Sequence, residues 1–153
     1  MMAELNRREF VVAAGAAVCS ACLAGCASDG GTVQPWTGPM TFELPAATEI
    51  KEGIDTRWAT AGGFFLVRDK GRIYAVTSTC SHRACPLAAK GTEYACPCHG
   101  SRFTPQGKVL AGPATMALAR FGTSVNAAGR LVVDRNKVFP EGQWEQSGAF
   151  VAV

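Results

Sequence analysis

Two short boxes hold the residues best suited to chemistry. Cys80-Ser81-His82 is followed, after 13 residues, by Cys96-Pro97-Cys98-His99, and both histidines of the chain sit in these boxes. Two thiolates and two imidazoles suit a tetrahedral zinc site. They also suit a [2Fe–2S] cluster with cysteine on one iron and histidine on the other. The spacing favours the cluster: C-x-H on one turn and C-x-x-H on another let each loop supply one sulfur and one nitrogen, whereas zinc knuckles more often carry C-x2-C. Cys98 raises a separate question. Next to a candidate ligand, it must bind the same metal, stay a free thiol or pair with something else.

The elements that must position these boxes read as β-structure. Gly63 to Ser78, "GFFLVRDKGRIYAVTS", is two runs rich in Val, Ile, Phe and Tyr around Asp69-Lys70-Gly71-Arg72, which predicts a hairpin. "MTFEL" (40–44) precedes it, and "TEYAC", "GKVLAG", "MALARFGTSVN" and "GRLVVD" follow, separated by Gly, Pro and Asn. No long window outside the N-terminal segment keeps a helical period. Many short strands punctuated by turns predict an all-β fold, a small antiparallel sandwich or barrel. Phe64, Val67, Ile73 and Val76 read as core.

The N-terminus is not part of that fold. Residues 1–25 resemble a twin-arginine export signal: Arg7-Arg8 precede Phe10-Val11-Val12 and a small-residue apolar run. Phe10 to Gly25 is only 16 residues, short of the about 20 a membrane span needs. "LAGC", Leu23 to Cys26, resembles a lipobox, so Cys26 would carry lipid and begin the mature chain; the alternative is an Ala-rich signal kept as an anchor. Residues 26–39 read as a Gly/Pro/Ser-rich tether, and residues 40–153 as one domain. Cys19, Cys22 and Cys26 belong to the signal, which leaves Cys80, Cys85, Cys96 and Cys98 in the domain. An even number in an exported chain suits a disulfide. The net charge of +3 is small and scattered, which argues against a nucleic-acid partner.

These residues resemble the Rieske iron–sulfur family. "CSHRAC" (80–85) looks like its first box, "CPCHGSRF" (96–103) like its second, and "GKVLAGPA" (107–114) like the glycine–proline loop, with Pro113, that closes over the cluster. The resemblance covers about residues 62–134. It implies one Rieske-type [2Fe–2S] cluster with Cys80 and Cys96 on one iron and His82 and His99 on the other. It also implies a β-rich base with an inserted cluster-binding subdomain at about 79–114. Cys85 and Cys98 fall where the cytochrome-bc-like branch has a disulfide tying its cluster loops together, worth about 3 kcal/mol in the chain-entropy model.

The resemblance also implies function. The chain is expected to be an exported one-electron carrier on the periplasmic or extracytoplasmic face of the membrane, lipid-anchored, and not an enzyme alone. Its redox partners would be a c-type cytochrome, a cytochrome b or a molybdopterin subunit. The other readings are a Rieske subunit of a quinol–cytochrome c reductase or of a molybdenum oxidoreductase resembling arsenite oxidase, and, on ligand pattern alone, a structural zinc-binding protein. Some residues depart from the pattern. Arg83-Ala84 replace the Leu-Gly of the cytochrome bc proteins, which puts quinol oxidation in doubt. Ser101 keeps a hydroxyl that can donate to a cluster sulfur. Phe103 stands where the high-potential proteins often have Tyr, and losing that donor lowers the expected potential within the family's range of about −150 to +300 mV.

Overall fold

The computed structural model describes residues 36–153. The export signal, the lipobox cysteine Cys26 and residues 26–35 of the tether lie outside the described residues. No helix among the described residues is long and apolar enough to cross a membrane.

The fold is all-β, built from two antiparallel sheets. The larger contains β1 (Thr41–Ala46), β2 (Gly53–Asp55), β3 (Phe64–Asp69), β4 (Arg72–Thr77), β9 (Arg120–Val125), β10 (Arg130–Phe139) and β11 (Val151–Ala152). Its order is β1-β10-β9-β4-β3-β2. Strand β4 pairs with β9 at Ala75 and Val76, and β11 takes its place beside Arg72 and Ile73. The smaller sheet is a meander of β5 (Ala88–Lys90), β6 (Glu93–Ala95), β7 (Arg102–Phe103) and β8 (Val109–Ala111). It lies in sequence between β4 and β9, neighbours in the larger sheet, and Thr77 N–H donates to the Ala119 carbonyl at 3.0 Å where the insertion begins and ends.

The β3–β4 hairpin is the centre of the larger sheet. Its turn, Lys70-Gly71, has both residues at positive φ (52° and 74°), the two-residue geometry that matches strand twist. Both faces of the hairpin are apolar, which is why the sequence reads as unbroken hydrophobic runs. Phe64, Leu66, Ile73 and Ala75 join Leu44, Ile50, Phe121, Leu131 and Val133 in one core. Phe65, Val67, Tyr74 and Val76 enter a second core with Leu87, Tyr94, Phe103, Ala114 and Leu118 from the insertion. Each large side chain buried there contributes roughly 1.5–3 kcal/mol. Phe65 stacks on Tyr94 with ring centroids 4.6 Å apart, one of the contacts that fasten the small sheet to the base.

Candidate metal centre

Two loops carry the sequence boxes. Loop one, Cys80 to Cys85, leaves the end of β4, and an isolated bridge between Thr79 and Pro86 pinches its neck. Loop two, Cys96 to Ser101, joins β6 to β7, whose Ala95 and Arg102 pair beneath it. Each is closed by two backbone bonds of the same kind. Cys80 N–H donates to the Cys85 carbonyl (2.8 Å) and Ala84 N–H to the Cys80 carbonyl (2.9 Å). Cys96 N–H donates to the Ser101 carbonyl (2.8 Å) and Gly100 N–H to the Cys96 carbonyl (3.0 Å). The fifth residue of each has positive φ: Ala84 at 55° and Gly100 at 78°.

The loops bring the four candidate ligands together. Cys80 and Cys96 are unbridged thiols, 2% and 3% exposed, built into the core beneath the loops. The rings of His82 and His99 stand edge to face with centroids 5.0 Å apart; His82 is half-buried and His99 exposed. Cys85 and Cys98 form a disulfide between the loops, Cα atoms 6.5 Å apart. The sulfurs of Cys85, Cys96 and Cys98 lie within 4.8 Å of one another, a spacing that could hold a metal ion. Two of those three sulfurs are spent on the bridge, so that trio is no thiolate site, and Cys98 is neither ligand nor free thiol.

Electrostatics around Cys80 are informative. Burial pushes its thiol up from the usual range, and the adjacent Cys96 pushes the same way; the His82 backbone N–H and the Ser101 hydroxyl, both donating to the sulfur, oppose it. The protein thus supplies donors for a thiolate while burial favours the thiol. A metal held by Cys80 would resolve the conflict, because coordination deprotonates a thiol outright. Ser101, fully buried, accepts a hydrogen bond from Ala114 N–H (3.0 Å), which fixes its hydroxyl and ties loop two to the segment around Pro113. Pro113 itself is exposed. Ser81 Oγ donates to the Met116 carbonyl (2.6 Å) and ties loop one to the same segment. Phe103 is fully buried in the core that holds both thiols.

The residues fit a cluster with sulfur on one iron and nitrogen on the other. The thiols are neighbours and so are the imidazoles. His82 Nδ1 is a buried nitrogen with no hydrogen-bond partner among the described residues, the state expected of a metal donor atom. Sequence reasoning picked out the residue but could not choose between its two nitrogens. It also missed the Ser81 tether, whose partner is a backbone carbonyl 35 residues away.

An all-β fold that brings an S2N2 donor set to two adjoining loops is the class these features define. The family model described as "Rieske [2Fe-2S] domain" matches residues 41–122, more than half of the sequence, and the chain belongs to that family. Its cofactor is a [2Fe–2S] cluster, and it is an electron-transfer protein related to the iron–sulfur subunits of cytochrome complexes. The chain is similar to cytochrome b6-f complex iron-sulfur subunit 1 of Synechocystis sp., 33% identical over 84 residues, which are 49% of this chain and 47% of that protein. It is similar to the chloroplastic subunit of Arabidopsis thaliana, 34% identical over 61 residues, 39% of this chain and 27% of that protein. The chain spans about half or less of the length of these curated relatives. Among solved structures, the cyanobacterial plasma membrane Rieske protein PetC3 from Synechocystis PCC 6803 overlaps 61% of this chain and 98% of its own, at 27% identity and a TM-score of 0.44.

Proposed function

We propose that the chain is an exported one-electron carrier whose cluster is held by Cys80 and Cys96 on one iron and by His82 and His99 on the other. The observation that carries this reading is the pairing of two buried thiols and two adjacent imidazoles, with His82 Nδ1 unpartnered. When bound, the cluster supplies a one-electron couple. The chain's own residues then do three things. Buried Cys80 and Cys96 keep water from the sulfurs. Ser101, oriented by Ala114 N–H, donates to the Cys80 sulfur and stabilises added negative charge. The imidazoles are the more exposed part of the site, so a redox partner meets the histidines and not the cysteines. Low-temperature EPR of the purified protein tests the ligand set: a single reduced-state signal characteristic of mixed cysteine and histidine ligation is expected, and zinc without iron would overturn it.

The twin-arginine-like residues and the lipobox-like "LAGC" support export and a lipid anchor at Cys26. A disulfide agrees with an oxidising extracytoplasmic compartment. Cell fractionation of Cys26→Ser tests the anchor: the protein should leave the membrane or remain as unprocessed precursor, and mature-sized protein still on the membrane would favour an uncleaved anchor.

A second reading, a subunit of a quinol-oxidising complex, is favoured by the likeness to b6-f subunits. Arg83, exposed at the tip of loop one, weighs against it and suits a partner with an acidic docking face. Purification from mild detergent separates the two. Co-migration with a b-type haem would establish the subunit, and isolation alone the carrier.

A further inference from the structure

A cleft of about 520 Å³ is lined by Tyr74, Arg120 and Trp144 together with Gln106 and Lys108 of the β7–β8 connection. Arg120 is the unusual residue. It is 4% exposed, and its guanidinium lies 3.8 Å from the ring centroid of Tyr74 and 4.4 Å from that of Trp144. Its one protein hydrogen bond among the described residues runs from Nη2 to the Gln106 carbonyl at 3.3 Å. No carboxylate among the described residues forms an ion pair with it, and each acid of the cleft has another partner. Asp69 accepts from Gln106 Nε2 (2.7 Å), Glu145 pairs with Arg72 (2.8 Å), and Glu141 pairs with Lys108 (3.8 Å).

Three buried polar atoms of these lining residues have no protein partner among the described residues: Arg120 Nε, Trp144 Nε1 and Tyr74 Oη. Their residues are 4%, 5% and 2% exposed. The first two can only donate. The third stays a protonated hydroxyl, because burial pushes Tyr74 up to about 12. Burial also pushes Arg120 down from the usual arginine range, outweighing the opposing pull of Tyr74 and of the Glu145 carboxylate. The ring contacts offset part of that cost but supply no acceptor. Buried donors around a buried cation call for an anionic acceptor.

We propose that this cleft binds a small oxyanion, a carboxylate or a phosphate, against the guanidinium of Arg120. Tyr74 and Arg120 come from the larger sheet, while Gln106 and Lys108 come from the smaller one, so a bound oxyanion bridges the two. The rim pairs Arg72–Glu145 and Lys108–Glu141 are exposed ion pairs of the weak kind, which open readily to admit it.

The test uses the cluster-loaded protein. Thermal unfolding is followed in sodium phosphate, in sodium acetate and in sodium chloride at matched ionic strength and pH. A ligand that binds only the folded state raises Tm with the logarithm of its concentration. Phosphate, acetate or both should do so beyond the chloride control, and the arm that responds names the oxyanion. Arg120→Met should remove the response. Where that variant folds poorly, an NMR titration of the wild type decides: the indole N–H of Trp144 should shift while those of Trp36 and Trp58 stay put. Trp144→Phe, which keeps a ring and loses the N–H, should bind about tenfold more weakly. The proposal is overturned if neither anion exceeds chloride, if Arg120→Met responds like the wild type, or if Trp144 does not shift. None of these outcomes alters the EPR signal, so the site stands or falls separately from the redox reading.

Discussion

Loop one and loop two share a six-residue frame, yet the frame is populated differently. In both, position one is a buried cysteine whose N–H reaches the carbonyl of position six, and position five folds back with positive φ. Position three is His82 in one and Cys98 in the other. Position four is Arg83 in one and His99 in the other. Position six is Cys85, half of the bridge, in one and Ser101, a donor to the Cys80 sulfur, in the other. The shared backbone therefore settles where the sulfurs go, and the unlike side chains divide the remaining tasks. The histidines stand one position apart, and one imidazole is half-buried while the other is exposed.

The comparison is broken most severely at the histidines. His82→Ala and His99→Ala should each abolish the [2Fe–2S] spectrum, since no other histidine exists to substitute. A normal signal in either variant would show that the unlike positions are not both ligands. Next comes the bridge. Cys85→Ser combined with Cys98→Ser releases a link across a sequence separation of 13 residues. It should lower unfolding free energy in urea by about 3 kcal/mol. A loss confined to a few tenths would mean that the Ser81 and Ser101 tethers hold the loops without it.

Smaller effects sharpen the shared frame. Gly100→Ala converts position five of loop two into that of loop one. A Cβ there meets nothing within 4 Å, so only backbone strain is added. The left-handed conformation costs an L-residue roughly 1–2 kcal/mol, offset by up to about 1 kcal/mol from the stiffer unfolded chain. A destabilisation of about 0.5–1 kcal/mol by urea midpoint is expected, and Ala84→Gly should gain a similar amount. A Gly100→Ala cost of several kcal/mol would show that the loops are not equivalent. Last, Phe103→Tyr should raise the midpoint potential by about 40 mV in protein-film voltammetry, taking roughly 1 kcal/mol for the added donor. No rise, with an unchanged EPR line shape, would mean that the new hydroxyl faces away from the sulfurs.

The parts of this design that were legible in the sequence were those with local causes. The β3–β4 hairpin announced itself because Lys70-Gly71 punctuates two β-rich runs, and Phe64, Val67, Ile73 and Val76 are all buried as read. "MTFEL", "TEYAC" and "GRLVVD" each contain or open an observed strand. Strands β2, β5, β7 and β11 were not read from the sequence; like β6 and β8 they are two or three residues long, and pairing with a neighbour rather than alternation defines them. The candidate ligands were readable from residue type and spacing, but the donor nitrogen of His82 and the tethers from Ser81 and Ser101 were not. They depend on which segments fold against each other. Arg120 was equally silent, since an arginine at the head of a strand gives no sign that two rings will cover it.

The near-complete burial of Cys80 and Cys96 imposes an order in time. Thiols 2% and 3% exposed offer little surface to incoming iron, and the Cys85–Cys98 bridge ties the two loops that carry them together. The expected order of maturation is therefore one in which the bridge closes last. Metal-free protein with its bridge intact should refuse iron and sulfide until a reductant opens it, and rapid uptake before reduction would reverse the order. A chain that oxidises early is then trapped: folded, compact and unable to carry an electron.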